Sequence, residues 1–97
     1  MFHTQSQAMD QLFDAILSLK TREECSKFFA DICTVKEILD LAQRMDVAVL
    51  LDQGISYQAI AQKINVSTAT ISRVSRCLNY GSGGYQIALE RLGEDKK

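Results

Sequence analysis

The 97-residue sequence has no proline and no tryptophan, one histidine, three cysteines, and no acidic residue from Gln53 to Leu89. Each scarcity excludes something. Without proline, no ring breaks a helix from within, so long helices are permitted. Cys25, Cys33 and Cys77 are odd in number and lack CxxC spacing, which argues against a disulfide framework and against a zinc site. The single histidine, His3, stands near one end, so neither a metal centre nor a nucleophile–base pair can be assembled. No catalytic residue is assigned, and the chain is read as a non-enzyme with no metal. Each thiol is expected to be buried or half-buried. No apolar run has the length of a membrane span, and the opening Met-Phe-His-Thr-Gln has no signal-peptide character. A cytoplasmic location is the default expectation.

What is present points to a single all-α domain over residues 1–97, with about six helices. A first helix is expected from about Ala8 to Lys20, with Leu12, Phe13, Ile16, Leu17 and Lys20 at helical spacing. Thr21-Arg-Glu-Glu24 has the form of a capping box that starts a second helix, whose stripe is Cys25, Phe28, Phe29 and Ile32. A second box, Thr34-Val-Lys-Glu37, starts a third helix running to about Asp52, with Gly54 as terminator.

The third helix, with its flanks at 34–54, is amphipathic in its first half through Val35, Ile38, Leu39 and Ala42. Its second half, Met45 and then Val47-Ala-Val-Leu-Leu51, is apolar nearly all round. Such a helix must be covered on every side. A chain this short has little to spare, so a homodimer is expected, with Ile38, Leu39, Met45, Val49 and Leu50 in its core. The alternative is that the first two helices wrap the third completely.

Residues 56–79 read as a helix-turn-helix. Ile60, Ala61, Ile64, Val66, Ile71 and Val74 supply its apolar positions, and Asn65 stands at the turn, where a left-handed backbone is expected. Ser56 and Ser67 cap the two helices. The free face of the second helix carries Ser67, Thr68, Ala69, Ser72, Arg73 and Arg76, with Thr70 beside them. Short polar groups followed by cations suit a helix that enters a major groove of double-stranded DNA. Gln58 and Lys63, on the preceding helix, would hold the DNA backbone. The acid-free stretch carries Lys63, Arg73 and Arg76, a charge of +3 in a chain whose net charge is −1. A basic island in an acidic chain is the expected footprint of a local DNA-binding face.

The second helix of the motif is expected to end near Asn79, and Tyr80-Gly-Ser-Gly-Gly84 is expected as a loop. It lacks the Lys-Ser/Thr ending and preceding strand of a phosphate loop. A last helix is expected over Tyr85 to Leu92, with Ile87, Ala88, Leu89 and Leu92 inward, followed by a disordered tail from Gly93.

Two segments carry a specific resemblance: Leu50-Leu-Asp-Gln-Gly-Ile-Ser-Tyr-Gln58 and Ala69-Thr-Ile-Ser-Arg73. Through them, and over about Thr34 to Leu92, the chain resembles the Trp-repressor-like family, of the YerC type. The resemblance implies an intertwined homodimer with one reading head per subunit, a transcriptional regulator bound to a two-fold symmetric operator. It also implies a ligand pocket. Arg73 matches the Arg that binds the carboxylate of tryptophan, Arg44 matches one packed on the indole, and Thr34 matches a Thr from the other subunit. Two positions depart: Val74 replaces a Gly, and Cys77 replaces a Ser that contacts the ligand's amino group. Tryptophan is therefore not expected as co-repressor, although another small molecule is not excluded. The plainer reading of Thr34 is a helix cap, and that of Arg44 a surface ion pair to Asp40 or Glu37. Two other functional readings remain open: a helical dimer that binds proteins, and a regulator gated by an unidentified small ligand.

Overall fold

The computed structural model of the chain describes residues 6–95. They form six helices and no strand: α1 (Ser6–Ser18), α2 (Arg22–Ile32), α3 (Val35–Asp52), α4 (Tyr57–Ile64), α5 (Thr68–Tyr80) and α6 (Gly84–Asp95). The all-α reading holds. His3, Lys96 and Lys97 lie outside the described residues. Contacts divide the chain into two compact units, Met1–Ile38 and Leu39–Lys97, and α3 contributes to both.

In the first unit, α1 stops two residues before Lys20. The Ser18 hydroxyl donates to the Ala15 carbonyl at 2.6 Å, and the Leu19 N–H donates to the Ile16 carbonyl at 3.1 Å in a tightened last turn. Thr21 caps α2 as expected, its hydroxyl accepting the Glu24 N–H at 3.0 Å. The Glu24 carboxylate reaches one residue further back than the box motif places it, to the Lys20 N–H at 2.8 Å. Phe28 and Phe29 are half-buried and meet edge to face at 5.4 Å. No described residue of this unit is fully buried, and Phe13, Leu17, Ile32 and Val35 are exposed.

The second unit holds the core. Val47, Ala48 and Leu50 of α3, Ile60 of α4, Val66 of the turn, and Ile71 and Val74 of α5 are buried together. Each such side chain withdrawn from water contributes on the order of 1.5–3 kcal/mol. Gly54, at φ +82°, ends α3 in the predicted place. Its N–H donates to the Leu51 carbonyl, and the Ile55 N–H donates to the Leu50 carbonyl at 3.1 Å. That pair of bonds satisfies two carbonyls and swings Ile55 back onto the core.

Val47, Ala48 and Leu50 are buried within their own unit, in one cluster with residues of α4, α5 and the turn between them. Leu50, placed by the sequence in a dimer core, is 6% exposed in a single chain. Val49, Met45 and Ile38 are half-buried, and Leu39 is 62% exposed. The uncovered apolar surface of α3 is its first half, at Val35, Leu39 and Leu41.

The last helix also differs from expectation. It begins at Gly84 and continues through Gly93 to Asp95, where a disordered tail was expected. Ile87 and Leu92, expected inward, are exposed, while Tyr85 packs against the core. The Gln86 side-chain amide donates to the Leu78 carbonyl at 3.1 Å and ties α6 to α5. Of the thiols, only Cys33 is half-buried; Cys25 and Cys77 are exposed, contrary to expectation.

Candidate nucleic-acid interface

The reading motif is assembled by local capping. The Ser56 hydroxyl accepts the Ala59 N–H at 3.2 Å and opens α4. Asn65, at φ 52° and ψ 54°, turns the chain in the left-handed region, which Asn tolerates better than most residues with a Cβ. Val66 enters the core, and the Ser67 hydroxyl then accepts the Thr70 N–H at 3.2 Å to open α5. α4 and α5 pack on each other, and Ile60 and Ile71 are fully buried between the elements.

This packing fixes which face of α5 is free. At roughly 100° per residue, Ile71, Val74 and Leu78 share the inward side, and Ala69, Arg73, Arg76 and Tyr80 fall within about 60° of one another on the opposite side. All four are exposed, as are Thr68 and Ser72. Gln58 and Lys63 of α4 are exposed as well. Among the described residues, Lys63, Arg73 and Arg76 form no ion pair. Their charge is unneutralised among the described residues, so it is available to a polyanion.

Two of the sequence-assigned readers are already occupied. The Ser67 hydroxyl donates to the Thr70 Oγ1 at 3.0 Å while it accepts the Thr70 N–H. Thr70 is only half-exposed. These hydroxyls hold the helix start, and Thr68, Ala69, Ser72, Arg73 and Arg76 are left to face outward.

The residues assigned to a ligand pocket are divided between the two units. Thr34 lies in the first unit; Arg44, Arg73, Val74 and Cys77 lie in the second. Thr34 caps α3: the Glu37 N–H donates to its Oγ1 at 3.1 Å, and its own N–H donates to Glu37 Oε1 at 2.8 Å. These bonds, the backbone one foremost, hold the Glu37 carboxyl below its ordinary range. Arg44 is half-buried and, among the described residues, forms no ion pair with either expected partner. Val74 is 1% exposed within the core cluster.

Cys77 borders two open cavities. One, of about 440 Å³, is lined by Met45, Cys77, Gly81, Ser82, Gly84, Tyr85 and Ala88. The other, of about 390 Å³, lies along Arg73, Arg76, Cys77, Tyr80 and Gly81. Gly81 permits the tight end of α5: its N–H donates to the Cys77 carbonyl at 2.9 Å, and a Cβ there would stand 2.3 Å from that same oxygen. Sequence reasoning assigned no role to Tyr80 or Tyr85. Helical phase relative to Arg73 and Arg76 was the available signal for Tyr80. Nothing local marks Tyr85.

Comparison with known proteins gives a consistent result. The family model described as Trp repressor protein matches residues 7–93. The chain is 56% identical over 86 residues to YerC of Bacillus subtilis (strain 168), an uncharacterized protein, spanning 89% of this chain and 83% of that one. A crystal structure of a TrpR-like protein from Eubacterium eligens ATCC 27750 superposes with a TM-score of 0.86 at 56% identity, covering 90% of both chains. A Staphylococcus aureus chain described as a candidate Trp repressor gives a TM-score of 0.86 at 52% identity, covering 90% of this chain and 87% of that one.

Proposed function

The chain belongs to the Trp repressor family, a family of DNA-binding transcription regulators rather than enzymes, and from that premise we propose that it is a homodimeric repressor reading a two-fold symmetric operator. The observation that carries the proposal is the outward face of α5. It is exposed along its length, lies opposite the core, bears Arg73 and Arg76, and sits within a stretch without any acid.

Two copies of α5 enter successive major grooves on one side of a duplex, with half-site centres about 34 Å apart. Thr68, Ala69 and Ser72 reach base edges closely or through water, and Ala69 packs on a thymine methyl. Arg73 and Arg76 contact guanine or phosphate, while Gln58 and Lys63 hold the backbone. The dimer is supported by the first unit, which has no fully buried described residue, and by the exposed apolar residues of α3 and α6.

Tryptophan is not the co-repressor in this reading. Val74 is a core residue whose side chain fills room that a Gly would leave for a ring, and overpacking of that order costs about 1–3 kcal/mol. That corresponds to roughly a tenfold to hundredfold loss of affinity. The Cys77 thiol is also a poor hydrogen-bonding replacement for a hydroxyl. Micromolar tryptophan binding by calorimetry would overturn this part.

The test is selection of bound duplexes from a random library by ligand-free protein at physiological salt. A palindrome with half-site centres about ten base pairs apart is the expected result. If no sequence is enriched with or without added amino acids and cell extract, the regulator reading gives way to a protein-binding dimer.

A further inference from the structure

Tyr80 is 88% exposed, the most exposed of the large apolar side chains in the described residues. It stands at the last turn of α5, in helical phase with Ala69, Arg73 and Arg76, and it borders the open groove of about 390 Å³ with both arginines and Gly81. The core is on the other side of the helix, so Tyr80 has no folding role within its unit.

We infer that this groove seats the DNA backbone beside the operator half-site, with the Tyr80 hydroxyl donating to a phosphate that Arg76 neutralises. The inference rests on the regulator reading above. Its geometric basis is the length of α5. Ala69 and Tyr80 are eleven residues apart, about 16 Å along the axis, and the major groove is only about 12 Å wide. A helix with its N-terminal end among the bases therefore brings its C-terminal end over a sugar–phosphate strand. A large aromatic at that end meets the backbone and not the base edges.

Charge selects the occupant. Arg73 and Arg76 have no ion pair among the described residues, and no acid lies between Gln53 and Leu89 to offset them. Two free guanidiniums beside a phenol suit repeated phosphates. A small-molecule pocket would be concave and would bury most of its ligand, whereas this groove in the single chain is largely open to solvent. Contacts of this kind position the protein and carry no sequence information.

The experiment measures affinity and phosphate-ethylation interference on a selected operator for the wild type, Tyr80→Phe, Tyr80→Ala and Arg76→Gln. Tyr80→Phe, which keeps the ring and removes the donor, should weaken binding about threefold to tenfold, equally on all sequences. One interference site per subunit, at the margin of the half-site, should disappear with it. The salt slope should be unchanged in both Tyr80 variants and shallower by about one in Arg76→Gln. Wild-type affinity and an unchanged interference pattern in both Tyr80 variants overturn the inference. So does a Tyr80→Ala protein that changes oligomeric state in sedimentation while keeping the pattern, since the ring then serves a second copy. If the wild type binds no duplex, the regulator reading falls and this inference falls with it.

Discussion

The hydroxyls of Ser67 and Thr70 are bonded to each other at 3.0 Å across the first turn of α5, so the two residues act as one cap. Replacing Ser67 by Ala should cost about 1 kcal/mol of stability, and replacing it by Gly only a few tenths. DNA affinity should follow the same order, because the reading helix frays from its start. Urea denaturation beside binding isotherms checks this. Equal binding losses in both variants at unchanged stability would make Ser67 a direct reader instead.

The Thr34–Glu37 box should give the protein an acid-sensitive element. A carboxyl whose folded-state pKa lies below its ordinary 4.5 adds stability above that value, and the contribution fades as pH falls through the lowered one. Glu37→Gln should therefore flatten the acid limb of the stability profile and lower stability at neutral pH. Denaturation midpoints between about pH 6 and pH 3 measure this. Parallel wild-type and variant profiles would show that the bond carries no linkage.

Gly81, just after α5, and Gly84, at the start of α6, should respond in opposite ways to alanine. At Gly81 the new Cβ meets the Cys77 carbonyl oxygen, a backbone atom that cannot move alone. Gly81→Ala should cost about 1–3 kcal/mol and loosen the end of α5. At Gly84 a Cβ meets nothing within 4 Å, and the residue begins a helix, so Gly84→Ala should be neutral or stabilising by up to about 1 kcal/mol. Thermal denaturation of the two variants decides; equal effects would contradict the steric argument.

Leu39 and Leu50, eleven residues apart on α3, separate association from folding. Leu50→Asp puts a charge into a single chain's core and should unfold the protein. Leu39 is exposed in the single chain. Leu39→Asp should therefore keep the second unit folded and shift sedimentation from dimer to monomer. A Leu39→Asp dimer as tight as the wild type would move the interface away from the first half of α3.

Much of the fold was legible because helix ends are local chemistry. Thr21, Thr34, Ser56 and Ser67 cap where their side chains announce it, and Gly54 and Asn65 adopt the positive φ that they tolerate. Burial was less legible, since it depends on which element comes to lie alongside. The apolar run of α3 does not reveal that α4 and α5 return to cover it. Ile87 and Tyr85 sit two residues apart on α6, and only packing against α5 selects the tyrosine. The continuation of α6 past Gly93 follows from energetics: one helical glycine costs about 1 kcal/mol, and no proline follows to stop the turn. At the interface, residue type located the reading helix, but the Ser67–Thr70 pair required the helix itself, and Tyr80 joins the arginines because α5 runs one residue past its expected end.

In the homodimer proposed above, the first unit, which has no fully buried side chain in its described residues, owes its persistence to association. Segments with little internal burial open at low free-energy cost, and a partner that closes them ties their lifetime to concentration. Amides of α1 and α2 should exchange with solvent at a rate set by dilution, while those around Ile60 and Ile71 keep their own clock. A newly made or scarce copy then carries a protease-accessible arm, and accumulation shields it, so abundance itself becomes a determinant of turnover.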